Sequence, residues 1–571
     1  MLRFVPFLGV LSLVVINSPF GLAAERPTAV AGKSGRSVTM APHGMIATSH
    51  PLAAQIGLDV LKRGGNAVDA AIATSAAMGV LEPMSCGIGG DLYAIVYDAK
   101  TQKLYGLNAS GRAPGKATRQ LFADRKLTEI PETGPLSWSV PGCVDGWDEL
   151  RKRFGSKPFA ELLEPSIGYA ADGAPVPEVI AGYWKAGERG LRAGQGTAAV
   201  YLPGPKGQAP KAGEVFKNPA LAATYQLIAK DGRDAYYKGP IADRIVAFSD
   251  RVGGLFAKPD FATHTSTWVD PAKTTYRGHE VWEIPPPGQG IAALQMLNLL
   301  EPYDLKAMGP NSPDYWHLFT EAKKLAYADR ARFYADPAFA KAPVDELISK
   351  EYAAERRKRI DPHHAARDVP AGDPKIGRAD TIYLCVVDKN HNCVSLIQSN
   401  YYGFGSMCAV PELGFALQNR GSLFALDEAH ANRLEPGKRP FHTIIPAMVT
   451  QAGKPRFVFG VMGGDMQPQG QVEVLVNLLD FGMDVQAAGE APRIEHIGSA
   501  TPTGRPARGV GTIQAEGGIP EAVVEELTKR GHQVRRVARN GGGYQGIWID
   551  PATGTLRGGT EARKDGAAVG Y

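Results

Sequence analysis

A layered α/β protein is what the sequence predicts, on three observations. Two alanine-rich helical stretches run in tandem over residues 51–82 and lead into paired strands. A long amphipathic helical pattern spans 313–336. After Thr381 the apolar periodicity becomes that of strands, with one more helix and a closing hairpin. Strands in both parts of the chain, with helices between them, need helices packed on sheet.

Each element has a local reason. "PLAAQIGLDVLKRGG" carries apolar residues at helical spacing and ends at Gly64-Gly65, a C-cap. "NAVDAAIATSAAMGVLEP" restarts with Asn66 as N-cap and stops before Pro83. A glycine turn then leads to strands at Leu92–Tyr97 and Lys103–Asn108. Residues 145–240 read as mainly helical. "TIYLCVVD", the turn "KNHN" and "CVSLIQSN" read as a hairpin. "PRFVFGVMGG" is a strand, "QVEVLVNLLDFGM" a helix, and "YQGIWIDPATGTLRGG" a final hairpin.

The chain has 571 residues, 44% hydrophobic and 21% charged, an ordinary globular balance. Net charge is +5, with both signs mixed and no long basic run, which gives no case for nucleic-acid binding. At the N-terminus, Arg3 precedes an apolar run from Phe4 to Ile16 that is too short to span a bilayer. "GLAAE" follows with small residues. This predicts a signal peptide over 1–24, cut after Ala24, and a periplasmic or secreted product; a membrane anchor is the alternative. Residues 25–43 read as a polar, mobile leader. Its "GKS" is no phosphate loop, because Pro27 stands where the first glycine belongs. The five cysteines are odd in number and form no CxxC, so buried apolar thiols are expected. No cofactor and no metal is expected: His363-His364 is a lone pair in a basic loop.

Three features carry candidate chemistry. Thr381, preceded by Asp380, stands where a polar stretch becomes a strand. Gly463-Gly464 follow an apolar strand directly; they serve either a tight turn or an anion held by backbone N–H groups. Arg112 follows a strand and is either a surface arginine or a carboxylate clamp.

Taken together, "GMIATSHPLAAQIGLDVLKRGGNAVDAAIAT", "GIGGDLYAIVYD", "EAKKLAYADRARF", "DTIYLCVVDKNHNCVSLIQS", "GKRPFHTIIPAMV" and "GVMGGDMQPQGQVEVLVNLLDFGMD" resemble the gamma-glutamyltransferase family of N-terminal-nucleophile (Ntn) hydrolases. The resemblance runs from about Gly44 to Tyr571. It implies a four-layer αββα sandwich built as one folded unit from a precursor that cuts itself once. The cut falls between Asp380 and Thr381, giving a large chain, 44–380, and a small catalytic chain, 381–571. It implies that Thr381 is the nucleophile, that Ser399 bonds to it, and that Gly463 and Gly464 form the oxyanion hole.

The departures bear on substrate. Where typical members carry a run ending in two aspartates, this chain has "QNRGSLF", which puts Leu423 at the ammonium-binding aspartate and Arg420 at a neighbouring ligand. Tyr401 replaces an asparagine. His442-Thr443 replace a serine pair that binds a carboxylate. Ser110 stands at the usual carboxylate-binding arginine, two residues before Arg112. The stretch from Phe424 to Arg439 is short, so the lid of typical members is missing. The pattern resembles the lidless branch with glutathione-hydrolase-like proteins, cephalosporin acylases and oxamate amidohydrolases. It implies hydrolysis of γ-glutamyl or similar carboxylate-bearing amides, or of a glutaryl-cephalosporin or oxamate amide by the same mechanism. The substrate-binding candidates are Arg112, Tyr401, Arg420, His442, Thr443 and Asp465. Assembly of the cut heterodimer into a homo-oligomer is left open.

Overall fold

The structure, a computed structural model, describes residues 35–367, 369 and 379–571, without the side chains of 379 and 380. The expected signal peptide and the first part of the leader lie outside the described residues. Fourteen strands build two sheets. The first seven in chain order are β1 (Thr39–Ala41), β2 (Met45–Thr48), β3 (Asp91–Asp98), β4 (Lys103–Ala109), β5 (Thr267–Val269), β6 (Ala272–Tyr276) and β7 (His279–Glu283). The others are β8 (Ala379–Val387), β9 (Cys393–Tyr402), β10 (Ala447–Gln451), β11 (Lys454–Val461), β12 (Tyr544–Ile549), β13 (Leu556–Thr560) and β14 (Ala567–Gly570). One sheet has the order β14-β2-β8-β9-β3-β4-β5 and the other β1-β13-β12-β11-β10-β7-β6. Every pairing in both is antiparallel.

The layers follow from strand alternation. In β8, Ile382, Leu384 and Val386 pack with the helices α1 (Pro51–Lys62) and α2 (Ala67–Leu81). The intervening Tyr383, Cys385 and Val387 pack with Met448, Val458 and Ile547 of the other sheet. Successive side chains point to opposite faces, so a strand buried on both must be apolar throughout. On the far side, Phe457, Phe459 and Val461 of β11 pack on the helices α3 (Gly290–Leu300), α4 (Pro313–Phe333) and α5 (Met466–Leu479). The result is the expected αββα sandwich. Between the sheets, a side chain at Gly460 would lie 2.5 Å from the Tyr383 ring, so glycine is what lets β11 approach β8 there.

Several sequence expectations hold locally. Asn66 caps α2 and completes a capping box with Asp69. The five cysteines are free and buried. Two expectations need correction. Thr39–Ala41, inside the stretch read as a mobile leader, pair with Leu556–Gly558 at the sheet edge. The helix read as amphipathic, α4, is buried on all sides from Tyr315 to Ala331. Its charged residues are covered because each finds a partner: Lys324 on Glu321 at 2.8 Å, Arg356 on Asp329 at 3.1 Å, and Arg330 on Asp465 at 2.7 Å. Periodicity marks one apolar face and cannot show that the polar face is also covered.

Candidate active site

Thr381 lies at a defect in the β8–β9 ladder. Asp380 pairs with Tyr401 and Ile382 with Gln398, so Ser399 and Asn400 together face Thr381. This is a β-bulge, which bends a strand and re-aims its side chains. Thr381 Oγ1 donates to Ser399 Oγ at 3.2 Å, and both residues are fully buried. Ser399 Oγ also accepts from the Tyr401 N–H at 2.8 Å. Beyond the bulge Tyr401 has φ +80°, a left-handed conformation that a bulky residue rarely adopts.

A chain of contacts runs from the bulge to the glycine pair. Tyr401 lies against the Arg420 guanidinium, 4.6 Å from ring centre to Cζ. Arg420 donates from one terminal nitrogen to Thr443 Oγ1 at 2.6 Å. The Thr443 carbonyl accepts from Gln289 Nε2 at 2.7 Å, and the same nitrogen donates to the Gly464 carbonyl at 2.8 Å. Gln289 Oε1 in turn accepts from Arg330 at 2.5 Å, and Arg330 is paired with Asp465. Burial opposes the Arg330 charge, but the Asp465 carboxylate raises its pKa on balance. Asp465, Tyr401, Leu423 and Phe441 line one cleft.

Gly463 and Gly464 sit between β11 and α5 with φ +103° and +59°. A side chain at Gly463 would meet the Gly542 nitrogen at 2.7 Å. Their N–H groups make no hydrogen bond among the described residues, while the Gly464 carbonyl is fixed by Gln289 and by Gln467 N–H. Two open N–H groups before a helix N-terminus suit a developing oxyanion.

Behind Thr443, His442 is wholly buried. Its Nε2 bonds to Asp91 Oδ2 at 3.0 Å and its Nδ1 accepts from the Ile444 N–H at 3.4 Å. Asp91 stands opposite Ser399 in the ladder, and its other oxygen accepts from the N–H groups of Gly111 and Gly142 and from Gln418. Burial, then the Arg420 charge, push the imidazole of His442 down to about 4, so it is neutral near pH 7. Burial likewise pulls Arg420 down to about 10.

Of the sequence candidates, these contacts gather Thr381, Ser399, Tyr401, Arg420, His442, Thr443, Gly464 and Asp465. Arg112 is apart: one terminal nitrogen reaches the Gly437 carbonyl at 3.3 Å. The backbone of Asp380 is in place at the bulge; its side chain lies outside the described residues. Gln289, Arg330 and Gln418 were not among the sequence candidates. Arg330 lay within "EAKKLAYADRARF", whereas nothing in the sequence singles out Gln289. One further described group, His317, Glu321 and His532, has the composition of a metal site. Hydrogen bonds account for it. His317 Nε2 donates to the Asp361 carbonyl at 2.7 Å, which leaves Nδ1 to accept from His532 at 2.8 Å, and Lys324 pairs with Glu321.

Comparison with known proteins follows the same lines. The family model for gamma-glutamyltranspeptidase matches residues 53–571. The chain belongs to the gamma-glutamyltranspeptidase family. It is therefore an enzyme of the Ntn-hydrolase type. It is similar to the glutathione hydrolase-like YwrD proenzyme of Bacillus subtilis (strain 168), 38% identical over 533 residues, 92% of this chain and 98% of that protein. It is also similar to the acylase ACY 1 proenzyme of Pseudomonas sp. (strain SE83), 37% identical over 538 residues, covering 92% and 93%. Among solved structures, cephalosporin acylase from Bacillus halodurans superposes with a TM-score of 0.87 at 42% identity, covering 96% of this chain and 99% of that one. Within the gamma-glutamyltranspeptidase family, then, its likeness extends to members named for acylase chemistry as well as for glutathione.

Proposed function

We propose that this member of the family is an exported, self-processing amidohydrolase whose acyl substrate carries a carboxylate, γ-glutamyl amides such as glutathione among them. The observation that carries the reading is Thr381 Oγ1, buried on a bulge and bonded to Ser399. In the precursor, Thr381 Oγ attacks the Asp380 carbonyl carbon. The peptide C–N bond breaks, its nitrogen becomes the Thr381 α-amine, and Asp380 is left as an ester on Oγ. Water hydrolyses that ester to the Asp380 carboxylate and restores the hydroxyl. The freed amine, with an ordinary pKa of about 7.7–8.0, is the base that a hydroxyl nucleophile needs.

In turnover the amine takes the proton of Thr381 Oγ as it attacks the substrate amide. The N–H groups of Gly463 and Gly464 receive the oxyanion, and the departing amine takes the proton. Water then cleaves the threonyl ester. Ser399 orients the nucleophile. Arg420 receives the acyl carboxylate, with Thr443 holding one of its terminal nitrogens. His442 serves as a strut between Asp91 and this loop. Arg112, bonded to the Gly437 carbonyl, takes no part in this scheme.

A second reading, favoured by Leu423 and by the commitment of Asp465 to Arg330, is that the acyl group lacks an α-ammonium, as glutaryl does. The test is kcat/KM for a matched pair of γ-glutamyl and glutaryl anilides. The account expects glutaryl to be hydrolysed at least as well. A preference for γ-glutamyl above about 100-fold, or about 2.7 kcal/mol, would show that an ammonium site exists after all.

A further inference from the structure

Arg420 is a buried cation with unfinished bonding. Its guanidinium is fully buried, yet among the described residues only the nitrogen on Thr443 has a hydrogen bond; Nε and Nη2 have none. Unpaired donors on a buried cation are costly, and a guanidinium fork fits a carboxylate. One face of the guanidinium is covered by a tyrosine. The Tyr401 ring lies on the guanidinium face, is itself 2% exposed, and stacks on Tyr402 at 4.3 Å. Tyr401 lines the cleft beside Leu423, Phe441 and Asp465, with Arg420 behind it.

The backbone holding that ring in place is strained, and at Tyr401 and Tyr402 the described ladder pairs β9 with β8 alone, while Ser399 Oγ and Asn419 Oδ1 accept from their N–H groups. Tyr401 has φ +80°, and Tyr401 and Tyr402 are paired in the ladder with Asp380 and Ala379. In the uncut chain those two residues are the first two of β8 and run on without a break into Thr381. A cut after Asp380 turns them into a chain end, and chain ends fray.

We infer that Tyr401 is the gate of an acyl-carboxylate site at Arg420, and that cutting the chain before Thr381 opens it. This rests on the reading of Arg420 as the acyl-carboxylate receptor. Loss of the Asp380 and Ala379 partners lets Tyr401 leave its left-handed conformation, and its ring swings off the guanidinium. The two open N–H groups then face the cleft and take the terminal carboxylate of a short acyl chain. Substrate binding and nucleophile formation thus depend on the same cut.

Arginine labelling reads the gate directly. Full-length Thr381→Ala, which stays uncut, and the cut wild type are treated with phenylglyoxal, and label on the Arg420 peptide is followed by mass spectrometry. Arg420 should label at least about tenfold more slowly in the uncut chain, as expected of a group reached only by local opening. Tyr401→Ala in the uncut background should remove that protection, and Tyr401→Phe, which keeps the ring, should retain it. Equal labelling of cut and uncut chains, or continued protection in Tyr401→Ala, would overturn the gate. Glutarate should slow labelling of the cut enzyme. Labelling that opens with the cut but ignores glutarate would leave the gate and remove the carboxylate assignment.

Discussion

Thr381 and Ser399 face each other across a bulge in which two residues of one strand oppose one of the other, with their hydroxyl oxygens 3.2 Å apart. Ser399 also holds the Tyr401 N–H, so its hydroxyl ties Thr381 to the backbone that frames it. Ser399→Ala should slow both maturation and turnover by roughly 10-fold to 1,000-fold, the range for one hydrogen bond plus misorientation. Time courses of cutting and of anilide hydrolysis measure both. Wild-type rates in both would remove Ser399 from the account.

Arg330 joins Asp465 to Gln289, which in turn fixes the Gly464 carbonyl. Arg330→Met should leave the Asp465 carboxylate without its cation at a largely buried position, at a cost of about 3–5 kcal/mol. It should lower the thermal unfolding midpoint and reduce kcat. An unchanged midpoint would mean that the pair contributes nothing to the fold.

Acid should destabilise the protein at pH values where its exposed carboxylates are still ionised. Burial pushes the imidazoles of His50, His264 and His442 each down to about 4. A histidine whose folded pKa is depressed contributes stability that is full above about 6.5 and is lost as pH falls toward 4. At pH 5 the loss is about 2 kcal/mol for a residue such as His442. Unfolding midpoints from pH 8 to 5 should be flat above 7 and fall below about 6.5. A flat profile down to pH 5 would contradict the neutral, buried imidazoles.

Hydrolysis should far exceed transfer to an acceptor amine. The short connection between Phe424 and Arg439 is pinned down: Phe424 and Leu434 pack in a small core with Phe122 and Leu255, and Asn432 donates to the Leu423 and Pro502 carbonyls. Nothing in that stretch is long enough to shield an acyl-enzyme from water. With a γ-glutamyl anilide and glycylglycine, free glutamate should dominate. Mainly γ-glutamyl-glycylglycine would refute it.

Much of this was legible in the sequence. Asn66 announced α2, "TIYLCVV" announced a strand, and Gly463-Gly464 marked the turn before α5. What was not legible depends on long-range pairing. The bulge opposite Thr381 is a property of two strands in register, and "CVSLIQSN" alone does not say that Ser399 and Asn400 share one partner. Likewise His442 reads as a ligand until Asp91, 351 positions away, claims its Nε2. Start points also shifted. The helix read from Gln471 begins at Met466, because Asp465 follows the glycine turn and the chain is helical from there.

The central claim is that Thr381 becomes an N-terminus. N-terminal sequencing of the smaller fragment of purified protein tests it directly, with Thr381→Ala beside it on the same denaturing gel. The account predicts two bands for wild type, the smaller beginning Thr-Ile-Tyr-Leu, and one uncut, inactive band for the variant. A smaller band beginning anywhere else, or a wild type that is active as a single uncut chain, would contradict it.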